Sequence, residues 1–154
     1  MKLRALVALA LLCALVAACG GGSKRLSQSE YRARLAALAD ESSTAQANAQ
    51  QALQATSVGD LQSRLRRFAD AEDRIGDKVA RLKPPKNAEA ANAELARGFH
   101  DTASEIRDAV QGLSKFSTPV AAIGSLRRLG NTNGGHEIDD ALAELKKLGY
   151  TKGR

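Results

Sequence analysis

From Tyr31 onward, apolar or small residues recur at alternating four- and three-residue steps: Tyr31, Leu35, Leu38, Ser42, Ala45, Ala49, Ala52 and Thr56. This is the stripe of an amphipathic helix. Just ahead of it, Leu26-Ser27-Gln28-Ser29-Glu30 has the Ser-x-x-Glu spacing of a capping box, which marks a helix start. The stripe opens with large side chains and fades to small ones. Its second half can therefore pack close to a neighbour or remain weakly held. A turn and a new cap follow at Ser57-Val58-Gly59-Asp60, and Leu61, Leu65, Phe68, Glu72, Ile75, Val79 and Leu82 carry the same period onward. Glu72 is the one charged residue on this second stripe. We expect it at the stripe's edge, with Ala71 facing inward.

Lys83-Pro84-Pro85 ends the second helix, because proline lacks a backbone donor and turns its predecessor away from helical angles. A third helix is predicted from about Asn87 to Phe116, with Leu95, Phe99, Thr102, Ile106, Ala109/Val110 and Leu113 on one side. Thr118-Pro119 reads as an N-cap with proline in the first turn, opening a short helix to about Leu129. The run Gly130-Asn131-Thr132-Asn133-Gly134-Gly135 is the strongest loop signal. A last helix is expected from about Glu137 to Leu148, capped by Gly149. Short turns make successive helices antiparallel. The expected fold is all-α: an up-down bundle of three long helices plus two shorter C-terminal helices, spanning residues 27–154.

The first residues follow another rule. Lys2 and Arg4 precede the apolar run Ala5–Val16, and the small residues Ala17 and Ala18 follow it. This is the layout of a secretory signal peptide. The 15 residues from Ala5 to Cys19 fall short of the roughly 17–25 that a membrane-spanning helix needs. Val16-Ala17-Ala18-Cys19 resembles the bacterial lipobox, an aliphatic residue and two small ones before a cysteine. That resemblance implies a diacylglyceryl group on the Cys19 thiol and cleavage just before it. Residues 1–18 would then be a lipoprotein signal peptide. Residues 19–26 would be the lipidated cysteine and a tether, with Gly20-Gly21-Gly22-Ser23 flexible and Lys24-Arg25 near the headgroups. Cys13 is a poor competitor, since Leu11 and Leu12 precede it. A mature chain would keep Cys19 alone, acylated, and form no disulfide.

Composition adds limits. Hydrophobic residues make up 44% of the chain but aromatics only 3%, so the core must be Leu, Val, Ile and Ala. The formal charge is +6, with Lys2 and Arg4 contributing to it from the segment expected to be lost. A mildly basic, exported chain argues against a nucleic-acid partner.

Candidate chemistry is sparse. His100, with Asp101 and Glu94 or Glu105, sketches a metal site on one helix; we read it instead as a surface histidine among helix charges, and expect neither metal nor cofactor. His136 reads as part of a helix start. The pairs Asp60–Arg64, Asp70–Arg74 and Asp77–Arg81 stand four residues apart, the spacing of helix-surface ion pairs. Arg64, Arg67, Arg74, Lys78 and Arg81 form a basic stripe along the second helix. Its plain reading is a solvated flank, and its functional reading is a face for anionic envelope polymers or lipid headgroups.

Past the lipobox the chain resembles small exported helical proteins of high-GC actinobacteria, through Leu26-Ser27, Glu30-Tyr31, Ala39-Asp40, Pro84-Pro85 and Gly149-Tyr150. Many of those relatives carry a cysteine soon after the Ala-Asp and another near the C-terminus. This chain has Ser42-Ser43 and Thr151-Lys152 there instead. The resemblance implies no activity and no catalytic residue.

The expected protein is therefore a non-enzymatic lipoprotein on the extracytoplasmic face of the cell membrane. Lipid on Cys19 anchors it, and its bundle binds an envelope protein or an anionic polymer. The alternative is an accessory lipoprotein binding a small molecule or metal in a pocket between helices near Phe68, Phe99 and Tyr31. A third reading is an enzyme whose site assembles around Glu72 and His100.

Overall fold

The computed structural model describes residues 24–126 and 132–151. Cys13, Cys19 and the lipobox lie outside the described residues, as do residues 127–131. Five α-helices are described: α1 (Gln28–Gln50), α2 (Val58–Arg81), α3 (Glu89–Gln111), α4 (Pro119–Ser125) and α5 (Asn133–Lys147). Single 3-10 turns extend α1 through Gln54 and α3 through Lys115. The described residues contain no strand.

The helix starts follow the local chemistry. Ser27 caps α1 in a complete capping box, its side chain accepting from the Glu30 backbone while Glu30 accepts from the Ser27 backbone. Ser57 accepts from the Asp60 backbone at α2, and Thr118 from that of Ala121 at α4, where Pro119 fills the first helical position. Each cap satisfies a donor the helix itself leaves open. Gly149 at φ 79° terminates α5, with the Tyr150 N–H donating to Leu145 at 2.8 Å.

Neighbouring long helices are antiparallel. The Leu26 N–H donates to the Lys83 carbonyl at 2.8 Å, joining the start of α1 to the end of α2. Asn92 donates to the Val79 carbonyl at 3.0 Å and Gln62 to that of Val110 at 3.1 Å, fixing α2 against α3 at both ends. Tyr150, after α5, donates to Asn87 ahead of α3 at 2.8 Å. The three long helices and the C-terminal pair thus form the expected bundle, α4 packing at the end remote from residue 24.

The core is in two parts. At the end where the described chain begins, Tyr31, Leu35, Ile75, Val79, Leu95, Phe99, Leu145 and Tyr150 pack together. At the other end, Ala52, Leu61, Leu65, Ala103, Ile106, Val110, Leu113 and Ala122 do so. Each fully buried Leu, Ile, Val or Phe contributes about 1.5–3 kcal/mol, and alanine much less.

The last helix departs from the sequence expectation. α5 begins at Asn133, capped by Thr132, so Gly134 and Gly135 are helical rather than loop. A Cβ on Gly134 would fall 2.3 Å from the Thr102 backbone nitrogen, so this glycine is there for helix packing. His136 lies in the first turn, its N–H donating to the Thr132 carbonyl at 3.2 Å. α4 spans Pro119–Ser125, and the end expected near Leu129 lies outside the described residues.

Candidate functional site: the α1–α2 seam and the α2–α3 charge cluster

The fading stripe of α1 has a structural consequence. Ala45 is buried and Ala49 half-buried, and their small side chains leave a groove of about 530 Å³ against α2. Arg64, Arg67 and Arg74 line it together with Phe68. Arg64 is held by Asp60 at 2.9 Å, which keeps the Asp60 carboxyl below its usual range. Arg67 donates to the Ser63 hydroxyl at 2.9 Å.

Arg74 lacks the partner its spacing suggested. Asp70, four residues earlier, turns to Arg107 on α3 at 3.0 Å. Arg74 has no ion pair among the described residues and is exposed. A cross-helix guanidinium that bridges two carboxylates outcompetes a pair within one helix, since Arg107 also reaches Asp73 at 2.9 Å. The other two expected pairs form, Asp60–Arg64 and Asp77–Arg81, the latter at 3.0 Å.

The basic stripe divides. Lys78 and Arg81 line a second groove, of about 600 Å³, at the other end of the α1–α2 seam. Lys78 bridges to Glu41 on α1 at 2.5 and 2.8 Å.

His100 meets acids other than those sequence spacing offered. Its Nδ1 lies 2.6 Å from Asp73 and its Nε2 3.8 Å from Asp77, both on α2. The ring fits beside Gly76, where a Cβ would come within 3.0 Å of it. Contacts from His100 and then Arg107 hold the Asp73 carboxyl below its ordinary value. Glu94 pairs with Arg97, and Glu105 accepts from the Gly134 N–H at 3.2 Å. Asp101 is raised, first by burial and then by the nearby Glu137 charge. Among the described residues, no group of three His, Cys, Asp or Glu side chains is placed to hold a metal ion.

Glu72 contradicts the edge expectation. It is 3% exposed, whereas Ala71 is only half-buried and lines the arginine groove. On α2 it falls between Ala69 of one core cluster and Ile75 of the other. Its Oε1 is buried with no hydrogen-bond partner, and burial pushes the carboxyl up to about 7. Neither a core arginine nor His100 compensates it.

Phe68, Phe99 and Tyr31 do not share a pocket. Tyr31 is fully buried, donates to Asn92 at 3.0 Å and meets Tyr150 edge-to-face, with centroids 5.1 Å apart. Phe99 lies in a separate cleft of about 490 Å³ between α1 and α5, and Phe68 borders the arginine groove. Sequence reasoning missed the Tyr31–Asn92 bond, because an asparagine on a helix gives no sign of which neighbour it faces.

No helix of the described residues is long and apolar enough to cross a membrane. Comparison with protein families, with curated proteins and with solved structures finds no match to this chain.

Proposed function

We propose that the chain is a lipoprotein of the cell envelope, held on the outer face of its membrane by lipid on Cys19, whose bundle binds an anionic envelope polymer without catalysing a reaction. The observation that carries the binding role is the groove shared by Arg64, Arg67 and Arg74. Asp70 is the acid on its wall, and that carboxylate is drawn away to Arg107. Guanidinium groups suit this task, since each can grip a phosphate or carboxylate through two parallel donors. Small residues on α1 supply room for a polymer backbone beside them. The anchoring part of the reading rests on the lipobox, the short apolar run and the glycine tether.

The test is binding of purified wall polymer to the intact chain. Arg67→Glu with Arg74→Glu should weaken binding at least ten-fold and flatten its salt dependence, while the fold persists because both residues are exposed. Unchanged binding would mean that the groove does not bind the polymer.

A second reading is favoured by the cleft between α1 and α5. Leu35, Val79, Leu95 and Phe99 floor it, with Ser42 and Asp139 among its polar lining, which suits a small apolar molecule. Saturable uptake of such a molecule, lost in Phe99→Ala, would support it over polymer binding.

A further inference from the structure

The second groove on the α1–α2 seam sits at the end from which the tether leaves. Lys24, Arg34, Lys78, Arg81 and Lys83 all border it. Lys78 is occupied by Glu41 and Arg81 by Asp77, but Lys24, Arg34 and Lys83 have no ion pair among the described residues. All five cations are exposed. Between them Leu26, Leu38 and Leu82 are half-buried and form an apolar floor to a space of about 600 Å³. Cations rimming an apolar floor match the chemistry of a bilayer surface, where anionic headgroups lie above hydrocarbon.

The position of Cys19 points to the occupant. Cys19 precedes Lys24 by five residues, and a fully extended chain advances at most about 3.3–3.6 Å per residue. A lipid on Cys19 thus keeps Lys24 within roughly 18 Å of the bilayer. The start of the domain is pinned at this end. Arg25 donates to the Pro84 carbonyl at 3.2 Å and pairs with Glu89, and Leu26 donates to Lys83 at 2.8 Å. With lipid on Cys19, a basic, apolar-floored groove would be held close to the membrane.

We infer that this groove docks the bundle onto anionic phospholipid headgroups of the membrane that carries its anchor. The inference rests on the anchoring proposal for its biological setting, but the groove's affinity for lipid does not depend on acylation. Docking here directs the arginine groove, at the other end of α2, away from the bilayer. Arg64 and Arg81 stand 17 residues apart on one helix, about 25 Å at 1.5 Å per residue. One end then serves the membrane and the other the polymer.

The experiment uses the processed chain with Cys19→Ser, so that no lipid contributes. Co-sedimentation is measured with phosphatidylglycerol-containing vesicles, with pure phosphatidylcholine vesicles, and with free glycerol phosphate as competitor. Binding to the anionic vesicles alone is expected, weakening as salt rises. Each basic residue near a charged surface contributes about five-fold, so Arg34→Glu, Arg81→Glu and Lys83→Glu together should cost at least ten-fold. Charge reversal at Lys115, exposed at the other end of the bundle, should cost little. Equal binding to both vesicle types, an unaffected triple variant, or full competition by glycerol phosphate would each overturn the inference. Circular dichroism of the triple variant confirms that it stays helical. Failure of the anchor reading shows elsewhere, as an unlipidated Cys19 in cells, and leaves this binding result standing.

Discussion

Gly98 on α3 and Gly134 on α5 meet where the two helices cross so closely that neither position has room for a methyl group. A Cβ on Gly98 would lie 2.9 Å from the Gly134 carbonyl oxygen, and one on Gly134 would lie 2.6 Å from the Gly98 oxygen. The Ile138 and Thr102 side chains also crowd these sites, but backbone atoms stand as close, so side-chain rotation alone relieves neither clash. We expect Gly134→Ala to destabilise the chain by about 1–3 kcal/mol, the usual range for forcing a methylene into a packed interior. Gly112 is the contrast: a Cβ there meets nothing within 4 Å, and its φ of −69° suits any residue. Gly112→Ala should stabilise by about 0.4–1 kcal/mol through the unfolded chain. Thermal unfolding of both variants checks the pair, and equal midpoints would contradict the close crossing.

This crossing also marks where sequence reading runs out. The starts of α1 and α2 were legible because Ser27 and Ser57 announce them, and the Pro84-Pro85 stop is a backbone effect that needs no partner. Gly134-Gly135 looked like loop because glycine disfavours helix locally, and only the approach of α3 makes it useful there. Glu72 was misplaced for a related reason. Periodicity put it on the apolar stripe, but a carboxylate is ordinarily excluded from a core, and that expectation moved it outward. The arginine groove was half legible. The stripe could be read along α2, yet the void came from alanines on α1, and Arg74 has no ion pair among the described residues because Arg107 takes Asp70.

Glu72 should leave a signature in the pH dependence of stability. Its carboxyl titrates at about 7 when folded, against 4.5 ordinarily. Between those values the folded chain keeps a proton that the unfolded chain has released. The stability it lends is therefore complete below about 4.5 and lost as pH rises toward 7. The loss is at most about 3–4 kcal/mol, from about 2.5 pKa units at 1.36 kcal/mol each. Glu72→Gln should flatten this part of the profile in denaturant melts. A wild-type profile already flat across that window would contradict the burial argument.

Asp73 acts in the opposite direction and lower on the pH scale. Its carboxyl is depressed below 3.8 by His100 and Arg107, so its contribution is present above that value and lost as pH falls through the folded value. Asp73→Asn should abolish that acid-side loss, while leaving the Glu72 change between 4.5 and 7 intact. An unaltered acid limb would show that the His100–Asp73 contact contributes nothing in solution.

Tyr31→Phe probes the joint between α1 and α3. It removes the donor to Asn92 Oδ1 at 3.0 Å and leaves a buried amide oxygen without that bond. A cost of about 1–3 kcal/mol follows from stranding such a group. Asn92→Leu also loses the bond to the Val79 carbonyl, so the test is a cycle: Tyr31→Phe with Asn92→Leu should cost less than the two single variants added together. A double variant no better than the sum of the singles would mean the two side chains act independently.

The proposed lipid on Cys19 would set which of the two α1–α2 grooves faces the membrane and which faces away. Mass spectrometry of the N-terminal peptide, taken from the membrane fraction of cells expressing the full chain, tests it directly. The expected peptide begins at Cys19 and carries a diacylglyceryl thioether, with Cys19→Ser leaving the membrane fraction when it is washed at high salt. A mature chain beginning elsewhere, or an unmodified Cys19 thiol on membrane-bound protein, would contradict it.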